Sequence, residues 1–200
     1  MKNIINVIVV VLLISCTTKK ENSKEEINSN EVTTENVVSE KVVLINPCDL
    51  VSMDDIALAF GVDTATIESY ARNPYPDTNR CEFIWNDPNE VSKASQIMIT
   101  ISSNLEINEM PRKFSNMLRM DLEKGVMGTK QQIIKPTPIG GFGENAYHWA
   151  ESEVQNVQKI KFHVNDMYLI EILFNTSAIV NQEEIKVKLI QVGKDIKQKI

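Results

Sequence analysis

Basic charge is in short supply in this chain: 21 Lys and Arg stand against 27 Asp and Glu, a formal net charge of −6. A nucleic-acid binder presents a basic face to the phosphates, so that class of partner is not expected. Histidine is scarcer still. His148 and His163 are the only two, and neither has a helical or hairpin partner at metal-ligand spacing, so no metal site and no cofactor is expected. A membrane-spanning helix needs about 20 consecutive apolar residues, and no such run occurs. The Ser/His/Asp order, the G-x-S-x-G elbow and the P-loop are missing as well. Cysteine occurs three times, and each cysteine has its own setting. The rest is an ordinary globular composition, 42% hydrophobic and 24% charged. Two hundred residues suit one domain with appendages.

The first appendage is N-terminal. Lys2 precedes an eleven-residue apolar run, Ile4 to Ile14, broken only by Asn6. That is too short to span a bilayer and fits the h-region of an export signal. The run ends in Leu13-Ile14-Ser15-Cys16, which resembles the lipobox of bacterial lipoprotein precursors. The resemblance implies a signal peptide over residues 1–15, a diacylglyceryl group on the Cys16 sulfur, cleavage after Ser15 and an acylated new amino terminus. The alternative is an uncleaved or conventionally cleaved signal with an incidental cysteine; no A-x-A site for ordinary cleavage lies nearby. Two or more acyl chains hold a protein stably on a membrane. Thr17 replaces the aspartate that resembles an inner-membrane retention signal in one group of diderm bacteria, which favours the outer membrane. Residues 16–41 hold Thr, Lys, Glu, Asn and Ser with no aromatic residue and no apolar period, so a disordered tether is expected there. Lys19, Lys20 and Lys24 are offset by Glu21, Glu25 and Glu26, as in a solvated spacer. Residues 42–200 then make the globular domain.

Within it, Ser52-Met53-Asp54-Asp55 resembles a capping box, Ile56, Ala59 and Phe60 face inward, and Gly61 stops the helix. Pro74 and Pro76 mark the stretch after Ile67 as loop. Arg80–Trp85 alternates Cys81, Phe83 and Trp85 against Glu82 and Ile84, and Ser95–Ser102 places Ile97, Ile99 and Ile101 on one face; both read as strands. A helix from about Glu109 to Lys124 carries Met110, Phe114, Met117, Leu118 and Leu122 at helical spacing, closed by Gly125. Strands follow near Gln131–Ile134, Asn145–Ala150, Val154–Val164 and Met167–Phe174, with an Asn165-Asp166 hairpin turn. Asn181 caps a last helix striped by Ile185, Leu189, Val192, Ile196 and Ile200. Strands and helices are grouped, so the expected class is α+β, a mainly antiparallel sheet with helices on one face. Each half ends in strands and then a helix, a hint of duplication.

Three segments of the domain resemble a widespread set of uncharacterised bacterial lipoprotein domains. They are Pro47–Ile56 with Phe60-Gly61, then Cys81-Glu82-Phe83-Ile84-Trp85, then Gly141-Phe142-Gly143-Glu144-Asn145-Ala146-Tyr147. The resemblance implies an α+β lipoprotein with one disulfide and carries no catalytic residue. Once Cys16 bears lipid, Cys48 and Cys81 are the two cysteines left in an oxidising compartment, where a disulfide between them is expected and two separate buried thiols are the alternative.

Gly141–Ala146 also fits G-x-G-x-x-(G/A), but a dinucleotide site needs a strand before it and a helix after it. Pro136 and Pro138 precede it and Tyr147-His148-Trp149 follows, so a turn into a strand is expected. Asp54 and Asp55 suit a helix N-terminus without any catalytic role. Phe142, Tyr147, His148 and Trp149 are the candidate binding edge, against the reading that they simply fill a core. Function is expected to be non-enzymatic binding, sensor- or inhibitor-like, of an envelope protein or small ligand by a membrane-anchored domain. The alternative is an envelope hydrolase or transferase with an unconventional site.

Overall fold

The computed structural model describes residues 42–87, 90–105, 112–151 and 156–200. The signal, Cys16, the tether and Met110 lie outside them. Two capped turns open the described chain. Asn46 accepts from the Cys48 amide at 3.2 Å to start α1 (Pro47–Leu50). Ser52 Oγ accepts from the Asp55 amide at 3.1 Å while the Asp55 carboxylate accepts from the Ser52 amide at 2.9 Å, and this reciprocal pair starts α2 (Met53–Phe60). Gly61 ends α2 at φ +70°, a left-handed position that suits glycine. Ile56, Ala57 and Phe60 are its buried residues; Ala59, expected inward, is only partly covered.

The stretch after Ile67 is not loop. Following a 3-10 turn at Thr64–Thr66, β1 (Glu68–Tyr75) contains Pro74, and the turn at Pro76-Asp77 leads into β2 (Thr78–Asp87). Proline is tolerated there because β1 is an edge strand, paired only with β2, and the ladder shifts register between Arg72 and Tyr75. β3 (Glu90–Ser103) pairs with β2 on one side. On the other side it pairs with β9 (Tyr168–Thr176), which begins 65 residues after β3 ends. β8 (Asn156–Val164), β7 (Tyr147–Glu151) and the two-residue β6 (Thr137–Pro138) complete an antiparallel sheet of order β1-β2-β3-β9-β8-β7-β6. Asn165 and Asp166, both at positive φ, turn β8 into β9 as the sequence led us to expect. β4 (Val126–Met127) and β5 (Ile133–Ile134) form a separate small ladder, of which only β5 was anticipated.

Alternation divides the sheet's side chains between two faces. The first carries Cys81, Phe83, Trp85, Ile97, Ile99, Ile101, Ile160, Phe162, Ile170, Ile172 and Phe174, all buried. It is covered by α1, α2 and α4 (Gln182–Lys199), whose buried Ile185, Leu189, Val192 and Ile196 are the expected stripe. Asn181 caps α4 by accepting from the Glu183 and Glu184 amides. The Cys48–Cys81 disulfide, with Cα atoms 5.2 Å apart, ties α1 to the middle of β2 on this face.

The α+β class and the mainly antiparallel sheet stand, but the helices are not confined to one face. α3 (Phe114–Lys124) buries Phe114 and Leu118 against Tyr147, Trp149, Val157 and Leu169, which belong to the second face. Leu169 and Leu173 are out of step with Ile170 and Ile172, which places this smaller core behind the sheet. The two meanders, β1–β3 and β7–β9, meet at the β3–β9 pair, yet α3 and α4, which follow them, lie on opposite faces.

Candidate binding trough

The second face is built from cross-strand rows that the registers specify. One row runs Arg72, Arg80, Thr100, Glu171, Lys161, Tyr147 across β1, β2, β3, β9, β8 and β7. The next runs Tyr70, Glu82, Met98, Leu173, Lys159, Trp149. α3 covers the β7–β8 end of both rows. Towards β1 and β2 the face forms a trough of about 760 Å³, lined at its rim by the Pro74–Asp77 turn, Arg112 and Met117. Its floor is Met98, Thr100, Leu169 and Leu173. Met117, read as an inward residue of α3, is 38% exposed and faces this space instead.

Charges in the trough are arranged in shared pairs. Glu82, itself buried, takes Arg72 at 3.3 Å and Arg80 at 3.7 Å. Glu171 takes Lys159 at 2.6 Å and Lys161 at 3.6 Å, and Lys161 also lies 3.5 Å from Asp121. Burial pushes the Glu171 carboxyl up, but the two lysines outweigh it and hold it below the usual carboxylate range. Arg80 Nε donates to Thr100 Oγ1 at 3.3 Å. Arg112 donates through Nη2 to Asp77 at 2.8 Å and to the Ser103 carbonyl at 3.1 Å, and its guanidinium lies 5.0 Å from the Phe114 ring centre. Such an arrangement can bind and orient an anion, and its lysines move Glu171 away from neutrality.

The residues singled out from the sequence lie elsewhere. Phe142, Tyr147, His148 and Trp149 are all buried and do not form an exposed edge. Phe142 belongs to the first core, its ring 4.5 Å from that of Phe162. Tyr147 and Trp149 belong to the second core. The Tyr147 hydroxyl, whose pKa is raised by burial and by donating to Asp121 at 2.8 Å, holds α3 to the sheet. His148 lies between these neighbours on the opposite side of β7 and is paired at 2.9 Å with Gln158; burial lowers its pKa. His163 Nδ1 accepts from the Asp166 amide at 3.3 Å within the β8–β9 turn. The Gly141–Ala146 segment is a turn with Gly141, Gly143 and Asn145 at positive φ, and it enters β7, a strand, as expected. Asp54 accepts from the Thr64 hydroxyl, and Asp55 serves the capping box. Among the described residues no helix is long and apolar enough to cross a membrane, and no group of three or more His, Cys, Asp or Glu is placed to hold a metal.

Arg80, Thr100, Lys159, Lys161 and Glu171 were missed as site residues. Alternation marks each as facing away from the Ile-rich core, but only the β3–β9 pairing of distant segments brings them together. Fold and trough define an α+β domain with one sheet face covered by helices and the other covered, among the described residues, over only half its width. No family model matches the chain, and neither a curated protein nor a solved structure matches it.

Proposed function

We propose that this chain is a membrane-anchored envelope lipoprotein whose domain binds a partner or ligand in the second-face trough. The supporting observation is the trough itself. Half of one sheet face carries arginine, lysine, threonine and apolar side chains with no helix over it among the described residues. A volume of about 760 Å³ lies within the ~300–1,000 Å³ typical of ligand clefts. The anchor rests on the lipobox-like Leu13-Ile14-Ser15-Cys16, and residues 17–41 would tether the domain close to the membrane. A non-enzymatic role is favoured by Glu171, which its lysines hold ionised, and by His148, which is buried behind the sheet from the trough. A hydrolase or transferase needs a trough carboxyl or imidazole moved towards neutral pKa, and Glu171 is moved the other way.

Two measurements test this. Mass spectrometry of the mature protein should find acylated Cys16 as its first residue; a mature chain starting elsewhere contradicts the anchor. A photocrosslinking amino acid at Tyr75, on the trough wall, should capture a discrete partner in intact cells, while one at the exposed Leu58 of α2 should not. Equal capture from both positions contradicts the trough as the binding face.

A further inference from the structure

Resting on the trough being the binding face, we propose that its ligand is a small amphiphile with one anionic head group, a carboxylate or a phosphate. Three observations converge. Four cations, Arg80, Arg112, Lys159 and Lys161, line the trough against two carboxylates, Asp77 and Glu171, in a chain whose net charge is −6. With Arg72, Glu82 and Asp121, which pair with lining residues, counted in, five cations face four carboxylates, an excess of one, because Glu82 and Glu171 each serve two cations. Spare donors stand at one end. Arg112 hydrogen-bonds only through Nη2, and Arg80 only through Nε with its Nη1 turned to Glu82 at 3.7 Å, so Arg112 Nε and Nη1 and Arg80 Nη2 have no hydrogen-bond partner among the described residues. Those groups are the geometry that grips a carboxylate or phosphate with paired hydrogen bonds.

The remaining floor is unsuited to a bare anion. Met98 and Leu173, directly paired across β3 and β9, form the apolar part of the floor beside the guanidiniums, with Met117 of α3 in the same lining and Leu169 on the far side of Glu171, and give an apolar bed with two pliable thioethers. A head at the Arg80–Arg112 end therefore leaves an apolar body lying along these residues. Thr100 and Ser102 sit in adjoining positions of β3 and place hydroxyls beside the head, while the buried Thr78 hydroxyl is taken up by Asp77 and Ser102. The occupant is an amphiphile, because the anion alone leaves the Met/Leu bed wet and an apolar chain alone leaves the guanidiniums unmatched.

The test uses ε-methyl NMR of the methionines in the full chain carrying Cys16→Ser, so that no acyl chain of its own competes. The probes are octyl phosphate, hexyl phosphate, 1-octanol and inorganic phosphate. Octyl phosphate is expected to move the Met98 and Met117 methyls and leave Met53, on α2, in place. Its Kd should be about tenfold or more below those of 1-octanol and inorganic phosphate, the scale of one charge-assisted contact. Hexyl phosphate should bind more weakly, by up to about fourfold per methylene removed. Arg80→Gln should raise the Kd of octyl phosphate about tenfold and leave that of 1-octanol unchanged. If that variant fails to fold, Arg112→Gln at the same end should have the same selective effect. Octanol binding as tightly as octyl phosphate overturns the anionic head, and inorganic phosphate doing so overturns the amphiphile; in either case the trough remains the binding face. Unmoved Met98 and Met117 methyls with every probe overturn the ligand class, and the Tyr75 crosslink then decides the binding face independently.

Discussion

Gly193 shows how closely single residues are fitted here. It lies in the middle of α4, where a Cβ would stand 2.9 Å from Ile160 Cδ1 and 3.0 Å from Phe142 Cε1. Glycine in a helix interior costs ~1 kcal/mol relative to alanine, so Gly193→Ala would be stabilising if space alone allowed it. Both neighbours are buried, however, and overpacking a core costs about 1–3 kcal/mol. We expect Gly193→Ala to lower the melting temperature despite its better helix propensity; a raised melting temperature would mean that Phe142 can move aside. Titratable residues make a second prediction at this scale. Burial lowers the pKa of His148 from its ordinary 6.5, and Glu171, Asp55 and Glu151 are each held below the ordinary carboxyl range. A group whose folded pKa is depressed contributes stability above its unfolded pKa and loses it as pH falls. Stability should therefore decline in two stages on acidification, the first below about pH 6.5 and the second below about pH 4.5. Thermal melts of His148→Gln should lack the first stage and keep the second. A first stage that persists in this variant would assign it to another group.

Among the elements, α3 is the one whose position governs the trough. Leu118 is fully buried beneath it, whereas Met117 one residue earlier faces outwards. Leu118→Ala should cost about 2–5 kcal/mol in denaturant unfolding, as buried leucines do, and Met117→Ala much less. Comparable losses would place Met117 in the core and remove it from the trough wall. Capped helix ends were legible in the sequence because capping is local: Ser52, Gly61, Asn181 and Gly125 all stand where the structure ends or begins a helix, whereas α3, expected from about Glu109, begins at Phe114, where no side-chain cap marks the start. The period-two alternation of β2 and β3 was legible for the same reason. β1 was not, because Pro74 and Pro76 are strand breakers everywhere except at an edge, and being at the edge is a property of the assembled sheet. The side taken by α3 was hidden too. Its apolar stripe is matched by Leu169 and Leu173, in a strand whose large apolar residues fall on both faces.

For the whole molecule, the long-range connections decide what sequence patterning leaves open. The disulfide joins Cys48 to Cys81 across 33 residues that include α2 and β1. By the chain-entropy relation a closed loop of that length is worth about 3–4 kcal/mol. Reduction should lower the denaturation midpoint by a corresponding amount while the helical signal of α4 persists below it; an unchanged midpoint would show that the bridge adds nothing to α1–β2 packing. The β3–β9 pairing does for function what the disulfide does for stability, because it sets Arg80 and Thr100 beside Glu171 and Lys161 in one row. The central claim is that this face is occupied when the protein is at work. The chain's own methionines can report on it: Met98 and Met117 line the trough, while Met53 and Met127 are exposed elsewhere. Hydroxyl-radical footprinting of intact cells, compared with the purified protein, should show slower oxidation of Met98 and Met117 in cells and unchanged rates at Met53 and Met127. Equal protection factors at all four methionines would contradict the account.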